Sequence, residues 1–333
     1  MKATQIVLAD RPKGIPTADI FRFEEIALPE LKDGEVLVEP TYISVDPYMR
    51  GRMNDMESYA PPFQLNVPIQ GRVVGKITDS KNNQFKAGDI VLGTLPWATK
   101  SVQAGSGLTK IDTSFAPPSY YLGVLGMTGL TAYFGLMDIG RPKAGETVVI
   151  SGAAGAVGIV AGQIAKLQGC RVIGLAGSDE KVNLLKKQFG YDEVINYKTI
   201  GRGLFEAIQT TCPRKIDVYF DNVGGEISDM IMMNINFKAR IIICGQIALY
   251  NTPQITRGLR FLPVVLTRSA IIRGFIVGEY SERFPEGMQQ LASWVKEGKL
   301  HFKETIIHGF EKLPEAFLGL FSGQNVGKML VEV

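Results

Sequence analysis

The stretch from Thr147 to Gly169 limits what this chain can fold into more than any other. Thr147–Ser151 is a short β-branched run, suited to a fully buried strand. Gly152, Gly155 and Gly158 follow; Ile159, Ile164 and Leu167 then recur with small residues between them, as a helix packed closely on a sheet requires. Strand, glycine turn and helix is the context in which such a pattern points to a dinucleotide. A residue without Cβ lets backbone approach a pyrophosphate, and the helix start offers unpaired N–H groups and the positive end of its dipole. The spacing is GxxGxxG rather than GxGxxG, so a turn that only packs helix on strand stays open as the alternative. A membrane helix does not. Ser151–Ala165 is nearly uncharged, yet it is shorter than the ~20 residues a bilayer needs, and Lys166 and Arg171 close it off.

Around this stretch the texture alternates. Strands are expected at Arg171–Ala176, Glu193–Asn196, Ile216–Asn222 and Arg240–Cys244, with helices to Gln168 and at Asp179–Phe189, Leu204–Thr211 and Ile227–Ile235. That order predicts a doubly wound parallel sheet, a Rossmann domain over 123–300. Ile271–Val277 reads as its last strand, and Gly123–Leu136 and Phe284–Glu297 read as helices. Before it, Thr4–Leu8, Phe21–Ala27, Glu35–Ser44, Arg72–Asp79 and Asp89–Thr94 are short β-rich runs separated by turn signals such as Lys32-Asp33-Gly34. A mainly β domain, a partly open barrel, is expected over 1–122. It is completed by 301–333, where Lys303–Phe310 and Lys328–Val333 return to β texture around a helix at Pro314–Ser322. At 333 residues, two domains agree with the amount of core one domain fills.

Composition narrows the function classes. A net charge of +3, with Lys and Arg scattered, gives no footprint for nucleic acid. Cys170, Cys212 and Cys244 are three and far apart, which argues against a disulfide framework and fits a reducing cytosol. His301 and His308 are the only histidines, so a His-rich metal site or a Ser-His-Asp triad is hard to assemble. The residues after Met1 lack the apolar core of a signal peptide, and a cytoplasmic protein without membrane or nucleic-acid partners is the expectation.

The end of the second strand of the alternation reads the adenosine ribose in such a fold. Acidic residues there favour a free 2′-OH, whereas small and basic ones admit a 2′-phosphate. Here Gly177 and Ser178 are followed by Asp179 and Glu180, where acids serve the helix dipole, and by Lys181 one turn in. NADP over NAD follows, unless Lys181 is simply a solvated helix residue.

Several longer motifs carry a resemblance. Gly152–Gly158, Gly177–Lys181, Asn196-Tyr197-Lys198, the run Tyr219–Gly225 and Gly327-Lys328 resemble the medium-chain dehydrogenase/reductase superfamily, within it the leukotriene/prostaglandin reductase and alkenal double-bond reductase group. Val45–Met53 and Ser58–Pro62 resemble its bacterial branch of NADPH-dependent curcumin reductases. The resemblance runs over essentially the whole chain. It implies a GroES-like catalytic domain beside the Rossmann domain and NADPH as cofactor. Gly152, Gly155, Ala156, Val157 and Gly158 would cradle the pyrophosphate. Gly177, Ser178, Lys181 and Tyr197 would hold the 2′-phosphate end. Asn222 would lie under the cofactor, Cys244, Gly245, Gln246, Ile247 and Tyr250 on its nicotinamide side, and Phe275, Ile276, Val277 and Asn325 would complete the site. Where zinc-dependent members carry a ligand segment, this chain reads Gln70-Gly71-Arg72-Val73-Val74-Gly75, so no metal is expected.

Reduction of a conjugated double bond suits such a site. Hydride to the β-carbon builds negative charge on the carbonyl oxygen, a proton reaches the α-carbon, and neutral donors at that oxygen lower the barrier. Tyrosine is such a donor at pH 7. Among eleven tyrosines, Tyr59 in the long Asn54–Val67 loop, Tyr250 and Tyr48 are the candidates, with a packing role open for each and the cofactor's ribose hydroxyl as an alternative donor. Asp46, Arg50 and Arg52 read either as a turn with an ion pair or as a substrate carboxylate site. The expected activity is an NADPH-dependent reductase of α,β-unsaturated ketones and aldehydes; the alternatives are a zinc-independent quinone oxidoreductase and a non-catalytic NADPH sensor. The resemblance implies a homodimer, with Ile271–Val277 as an edge strand able to pair with its twin. The loops 54–67, 249–265 and 275–279 are expected to shape the substrate pocket.

Overall fold

A computed structural model describes residues 1–252, 254 and 256–333. Pro253 and Ile255, within the 249–265 loop expected to shape the pocket, lie outside the described residues. The chain divides into two compact units: a β-rich unit of Met1–Gly123, Glu304–Asn325 and Met329–Val333, and a parallel unit of Val124–Lys303 and Val326–Lys328.

The β-rich unit begins with β1 (Lys2–Leu8), β2 (Phe21–Ala27), β3 (Glu35–Ser44), the short α1 (Tyr48–Arg52), β4 (Gln70–Ser80), β5 (Ile90–Pro96), β6 (Ser101–Ala104) and β7 (Leu108–Lys110). β1 and β2 form a separate antiparallel hairpin. The three-residue β7 and four-residue β6 carry too little alternation to be read from sequence.

The parallel unit follows with α2 (Met127–Phe134), β8 (Thr147–Ile150), α3 (Ala156–Leu167), β9 (Arg171–Ala176), α4 (Asp179–Gln188), β10 (Glu193–Asn196), α5 (Tyr197–Ile200), α6 (Leu204–Thr211), β11 (Ile216–Asp221), α7 (Gly225–Met232), β12 (Ile235–Ile243), α8 (Leu262–Thr267), β13 (Ile271–Gly274) and α9 (Phe284–Lys296). The helix expected over Gly123–Leu136 is shorter and ends in a π-helical turn at Gly135–Gly140. There Gly135 lies so close to Phe220 that an added Cβ would sit 2.7 Å from its ring. The chain then returns to the β-rich unit with β14 (Glu304–His308), α10 (Leu313–Ser322) and β15 (Lys328–Glu332).

In the β-rich unit the main sheet runs β14-β15-β3-β4-β5-β7, with β6 paired to β3. Its core gathers Ile6, Val38, Ile43, Ile77 and Trp97, all fully buried. Phe317 of α10 meets Phe21 and Trp97 edge-on at 6.1 and 6.4 Å between ring centroids, which fastens the returning C-terminal helix to the N-terminal hairpin.

The parallel sheet has the order β10-β9-β8-β11-β12-β13, every pair parallel. Counted along this sheet the order is 3-2-1-4-5-6, and the winding reverses between β8 and β11. Ligands of open α/β sheets bind outside the carboxyl ends of the strands at that switch. Here those ends are Ser151–Gly152 and Asp221–Asn222. The small residues of α3 serve close packing: an added Cβ on Gly162 would lie 2.2 Å from the ring of Tyr191, whose buried hydroxyl donates to the Gly158 carbonyl at 2.7 Å. Among the described residues no helix is long and apolar enough to cross a membrane.

Candidate cofactor site and reductase residues

The glycine turn after β8 divides its labour. Gly152 has φ +58°, a left-handed conformation that favours glycine. Gly158 is buried, and a Cβ there would sit 2.4 Å from the Gly152 carbonyl and 2.7 Å from Ala153 Cα, so packing alone demands glycine. Gly155 differs. Its φ of −82° suits any residue, and a Cβ would meet only the Gly152 carbonyl, at 3.2 Å. Gly155 is the N-cap of the twelve-residue α3, no side chain caps that helix, and its first turn holds no acid. An open approach to an uncapped helix start is what a pyrophosphate requires. The chain also returns here: Gly327 N–H donates to the Ala154 carbonyl at 2.8 Å.

At the end of β9, Gly177 lies under the Tyr197 hydroxyl, 2.8 Å from where a Cβ would be, and 3.2 Å from Lys198 Cε. Ser178 caps α4 by accepting the Lys181 N–H at 3.3 Å. Asp179, the acid nearest the strand end, accepts from Asn196 Nδ2 at 2.7 Å. Burial, then the charge of Lys198, hold the Lys181 ammonium below its usual range. Two lysines and a tyrosine hydroxyl thus gather where a 2′-phosphate would be read, and a dianion there would relieve their mutual repulsion. Lys198 was quoted in the sequence only as part of a motif; its contribution depends on the fold bringing it over Gly177.

At the ends of β11 and β12, Asn222 donates its backbone N–H to Ser151 Oγ at 3.0 Å and its Nδ2 to the Ser151 carbonyl at 2.8 Å. Cys244 and Gly245 N–H groups both reach the Asp221 carbonyl, at 2.9 and 3.0 Å. Gln246 N–H donates to the Tyr250 hydroxyl at 3.2 Å. Burial first, then the charge of Asp221, push the Cys244 thiol up to about 12. Burial also raises Tyr250. Ile247 opens a single 3₁₀ turn, Ile247–Leu249. Of the last candidates, Phe275 is buried edge-on against Tyr280, Ile276 is exposed and Val277 half-buried. Asn325 is half-buried in the β-rich unit. A cavity of about 930 Å³ lies behind this segment, lined by Asp221, Ser228, Gln246, Leu249, Leu259 and Ile272 among others. None of Gly152, Gly155, Lys181 or Tyr197 lines it, so it is separate from the glycine turn.

In the β-rich unit, Tyr48 opens α1, half-buried, and Tyr59 stands on its loop at 61% exposure. The Tyr48 hydroxyl feels the charges of Asp46, Arg52, Tyr59 and Arg72, so two of the three candidate tyrosines and two guanidiniums share one neighbourhood. Burial, then Asp46, raise the Tyr48 pKa well above the usual tyrosine value; the hydroxyl stays a neutral donor. Arg72 lies opposite Thr94 in β4–β5, and its guanidinium reaches Thr94 Oγ1 at 3.4 Å. Burial holds Arg72 below the usual guanidinium range, offset by Tyr48 and Asp46. Nothing in the sequence singles out Arg72: its place beside Tyr48 comes from the fold. Ser44 Oγ donates to the buried Asp46 carboxylate. Arg50 donates to the Gly14 carbonyl at 2.8 Å and to Asn54 Oδ1 at 2.7 Å; Arg52 donates to the Pro61 carbonyl at 2.9 Å and lies over the Phe63 ring at 4.1 Å. Arg50 therefore braces the start of the 54–67 loop, and Arg52 its Pro61–Phe63 stretch.

Residues 4–111 match the family described as the N-terminal domain of oxidoreductase, and residues 156–293 the family described as zinc-binding dehydrogenase. A Bacillus subtilis (strain 168) protein, YfmJ, that carries the name of an NADP-dependent oxidoreductase is 56% identical over 99% of this chain and 97% of its own length. NADPH-dependent curcumin reductase of Escherichia coli (strain K12) is 40% identical over 98% of this chain and 96% of its own. Mouse prostaglandin reductase 1 is 44% identical over 96% of each chain. The crystal structure of Vibrio vulnificus CurA in complex with NADPH matches with a TM-score of 0.94 at 40% identity, covering 99% of each chain.

The chain belongs to the medium-chain dehydrogenase/reductase superfamily, in its zinc-independent reductase family. Its two units are the Rossmann and GroES-like folds of that superfamily. The zinc in one family description does not fit this chain's residues: among the described residues no three His, Cys, Asp or Glu side chains gather as ligands. The cofactor fits, on the open, uncapped start of α3 and the lysine pair beside Gly177.

Proposed function

We propose that this protein is an NADPH-dependent reductase of the carbon–carbon double bond of α,β-unsaturated ketones and aldehydes. The observation that carries the reading is the Tyr48 hydroxyl, kept neutral by burial and set among Arg52, Arg72 and Tyr59. The names of the relatives favour the same chemistry, since curcumin is a conjugated enone. The GroES-like domain, 1–122 with 301–333, supplies Tyr48 and Tyr59; the Rossmann domain, 123–300, carries Tyr250 and holds the cofactor. Gly155 and the first turn of α3 bind the pyrophosphate, and Lys181, Lys198 and Tyr197 bind the 2′-phosphate. Bound NADPH supplies the hydride. The Tyr48 hydroxyl donates to the substrate carbonyl oxygen as negative charge builds there, with Arg72 adding positive potential. Tyr59 and Tyr250 are the further candidates to contact substrate. The free cysteines suit a reducing, cytoplasmic setting.

A homodimer completes the proposal. Every residue of β13 is exposed, Ile271 at 61%, and Leu262 and Leu266 of α8 are exposed at 70% and 81%. An apolar edge strand of this kind, paired to β12 on one side only among the described residues, seeks a partner, and a second copy extends the sheet. Sedimentation at micromolar concentration tests this, and a monomer overturns it.

Oxidation of NADPH is followed with a long-chain enone, an alkenal, curcumin, a quinone and a saturated ketone. Enones and enals are expected to turn over and the saturated ketone not. Turnover of the quinone alone replaces this reading with a quinone oxidoreductase. Binding of NADPH with no acceptor reduced replaces it with a sensor.

A further inference from the structure

Asp221 ends β11 at 1% exposure, and no role was assigned to it from the sequence. Six donors reach its carboxylate. Oδ1 accepts from Ser151 Oγ at 3.0 Å, Tyr219 Oη at 2.8 Å, and the N–H groups of Val223 and Gly224 at 3.0 and 2.9 Å. Oδ2 accepts from Ser228 Oγ at 2.8 Å and Gln246 Nε2 at 2.9 Å. All six donors are neutral. Among the described residues no lysine, arginine or histidine forms an ion pair with it.

Burying a carboxylate is costly, and neutral donors offset that cost without cancelling the charge. The field of Asp221 therefore extends to its neighbours. It reaches the end of β12, where it helps to push the Cys244 thiol up to about 12 and acts on the Tyr250 hydroxyl. A scaffold needing only hydrogen bonds between Ser151, Asn222 and Gln246 has no use for an uncompensated anion at this place.

We propose that Asp221 is a fixed negative charge that favours the oxidised form of the bound nicotinamide. The inference rests on the proposed function and on the assignment, implied by the family resemblance, of Cys244–Tyr250 to the nicotinamide side and of Asn222 to a place under the cofactor. Loss of a hydride leaves that ring with one positive charge, and the electron pair passes to the enone, later neutralised by a proton at its α-carbon. A buried anion behind the segment stabilises the charge that develops and acts against the charge-neutral reduced ring only weakly.

Dissociation constants for NADPH and for NADP⁺ separate this role from a structural one. In Asp221→Asn, NADP⁺ is expected to weaken relative to NADPH by roughly tenfold. Tyr219→Phe removes one donor and keeps the charge, so both constants change by the same factor. If Asp221→Asn does not fold, Ser228→Lys sets an ammonium beside Oδ2 from α7, at a residue with no assigned cofactor contact, and is expected to shift the ratio the same way. An unchanged ratio in Asp221→Asn, or in Ser228→Lys where the first variant is lost, overturns the proposal. Wild-type protein that binds neither form overturns the cofactor reading beneath it, and this inference with it.

Discussion

Two helices of the Rossmann domain follow adjacent strands, β8 and β9, and begin in opposite ways. α4 looks after its own N-terminus: Ser178 accepts the Lys181 N–H, and Asp179 and Glu180 stand in the first turn, where the helix dipole favours them. α3 has a glycine at its N-cap, no side-chain cap and no acid in its first turn. Both sequences are local and both are legible. On the proposed assignment, the helix that leaves its dipole unserved is the one that receives the pyrophosphate, and the capped helix lends a side chain, Lys181, to the 2′-phosphate end.

The largest effect separates two glycines of the same turn. Gly158→Ala drives a Cβ into backbone at 2.4 Å, which no side-chain movement relieves, so a loss of roughly 3 kcal/mol or more of stability is expected from denaturant unfolding. Gly155→Ala meets only one carbonyl at 3.2 Å and has an ordinary φ, so it is expected to fold with a change under about 1 kcal/mol while NADPH affinity falls at least about tenfold. If Gly155→Ala binds NADPH as the wild type does, the open start of α3 is not the pyrophosphate site.

What could be read from the sequence, and what could not, follows the same division between local and distant. The β9 and β10 bounds, Arg171–Ala176 and Glu193–Asn196, agree with expectation to the residue, because buried β-branched runs are bounded by glycine and charge. α1 was missed, since five residues after Asp46-Pro47 give no helical period. α8 was missed for a similar reason, with six residues and a proline at its start. The convergence on Asp221 was invisible for a different cause: Ser151 and Asp221 lie 70 residues apart and meet only because β8 and β11 pair at the switch point. Pattern reading finds elements; it does not say which strand ends become neighbours. Arg72 beside Tyr48 is the same lesson in the β-rich unit.

The lysine that α4 contributes gives the next effect. Lys181→Gln is expected to weaken NADPH by about ten- to a hundredfold and to leave NADH within about twofold, because only the former carries the 2′-phosphate. Equal losses for both would return Lys181 to an ordinary solvated helix residue. A smaller effect belongs to the cap. Ser178→Ala removes the acceptor of the Lys181 N–H and is expected to cost about 1 kcal/mol in thermal or denaturant unfolding. α3 has no such side chain to lose. A Ser178→Ala protein as stable as the wild type would remove the contrast between the two helices.

The smallest effect is a fraction of a proton. Burial, and then the neighbouring charge of Lys198, lower the Lys181 pKa, so as the pH rises above neutral the free protein loses this proton earlier than an ordinary lysine does. The 2′-phosphate is fully dianionic in that range, its second pKa being about 6. Its arrival favours the charged ammonium, raises the Lys181 pKa and draws a proton from the buffer. Uptake is therefore the expected sign, growing as the pH rises above neutral, and absent for NADH. Calorimetry in buffers of different ionisation enthalpy reads it directly, and Lys181→Gln removes it. Release of protons, or the same uptake with NADH, would mean that the phosphate does not meet Lys181, and that the uncapped α3 alone carries the anion.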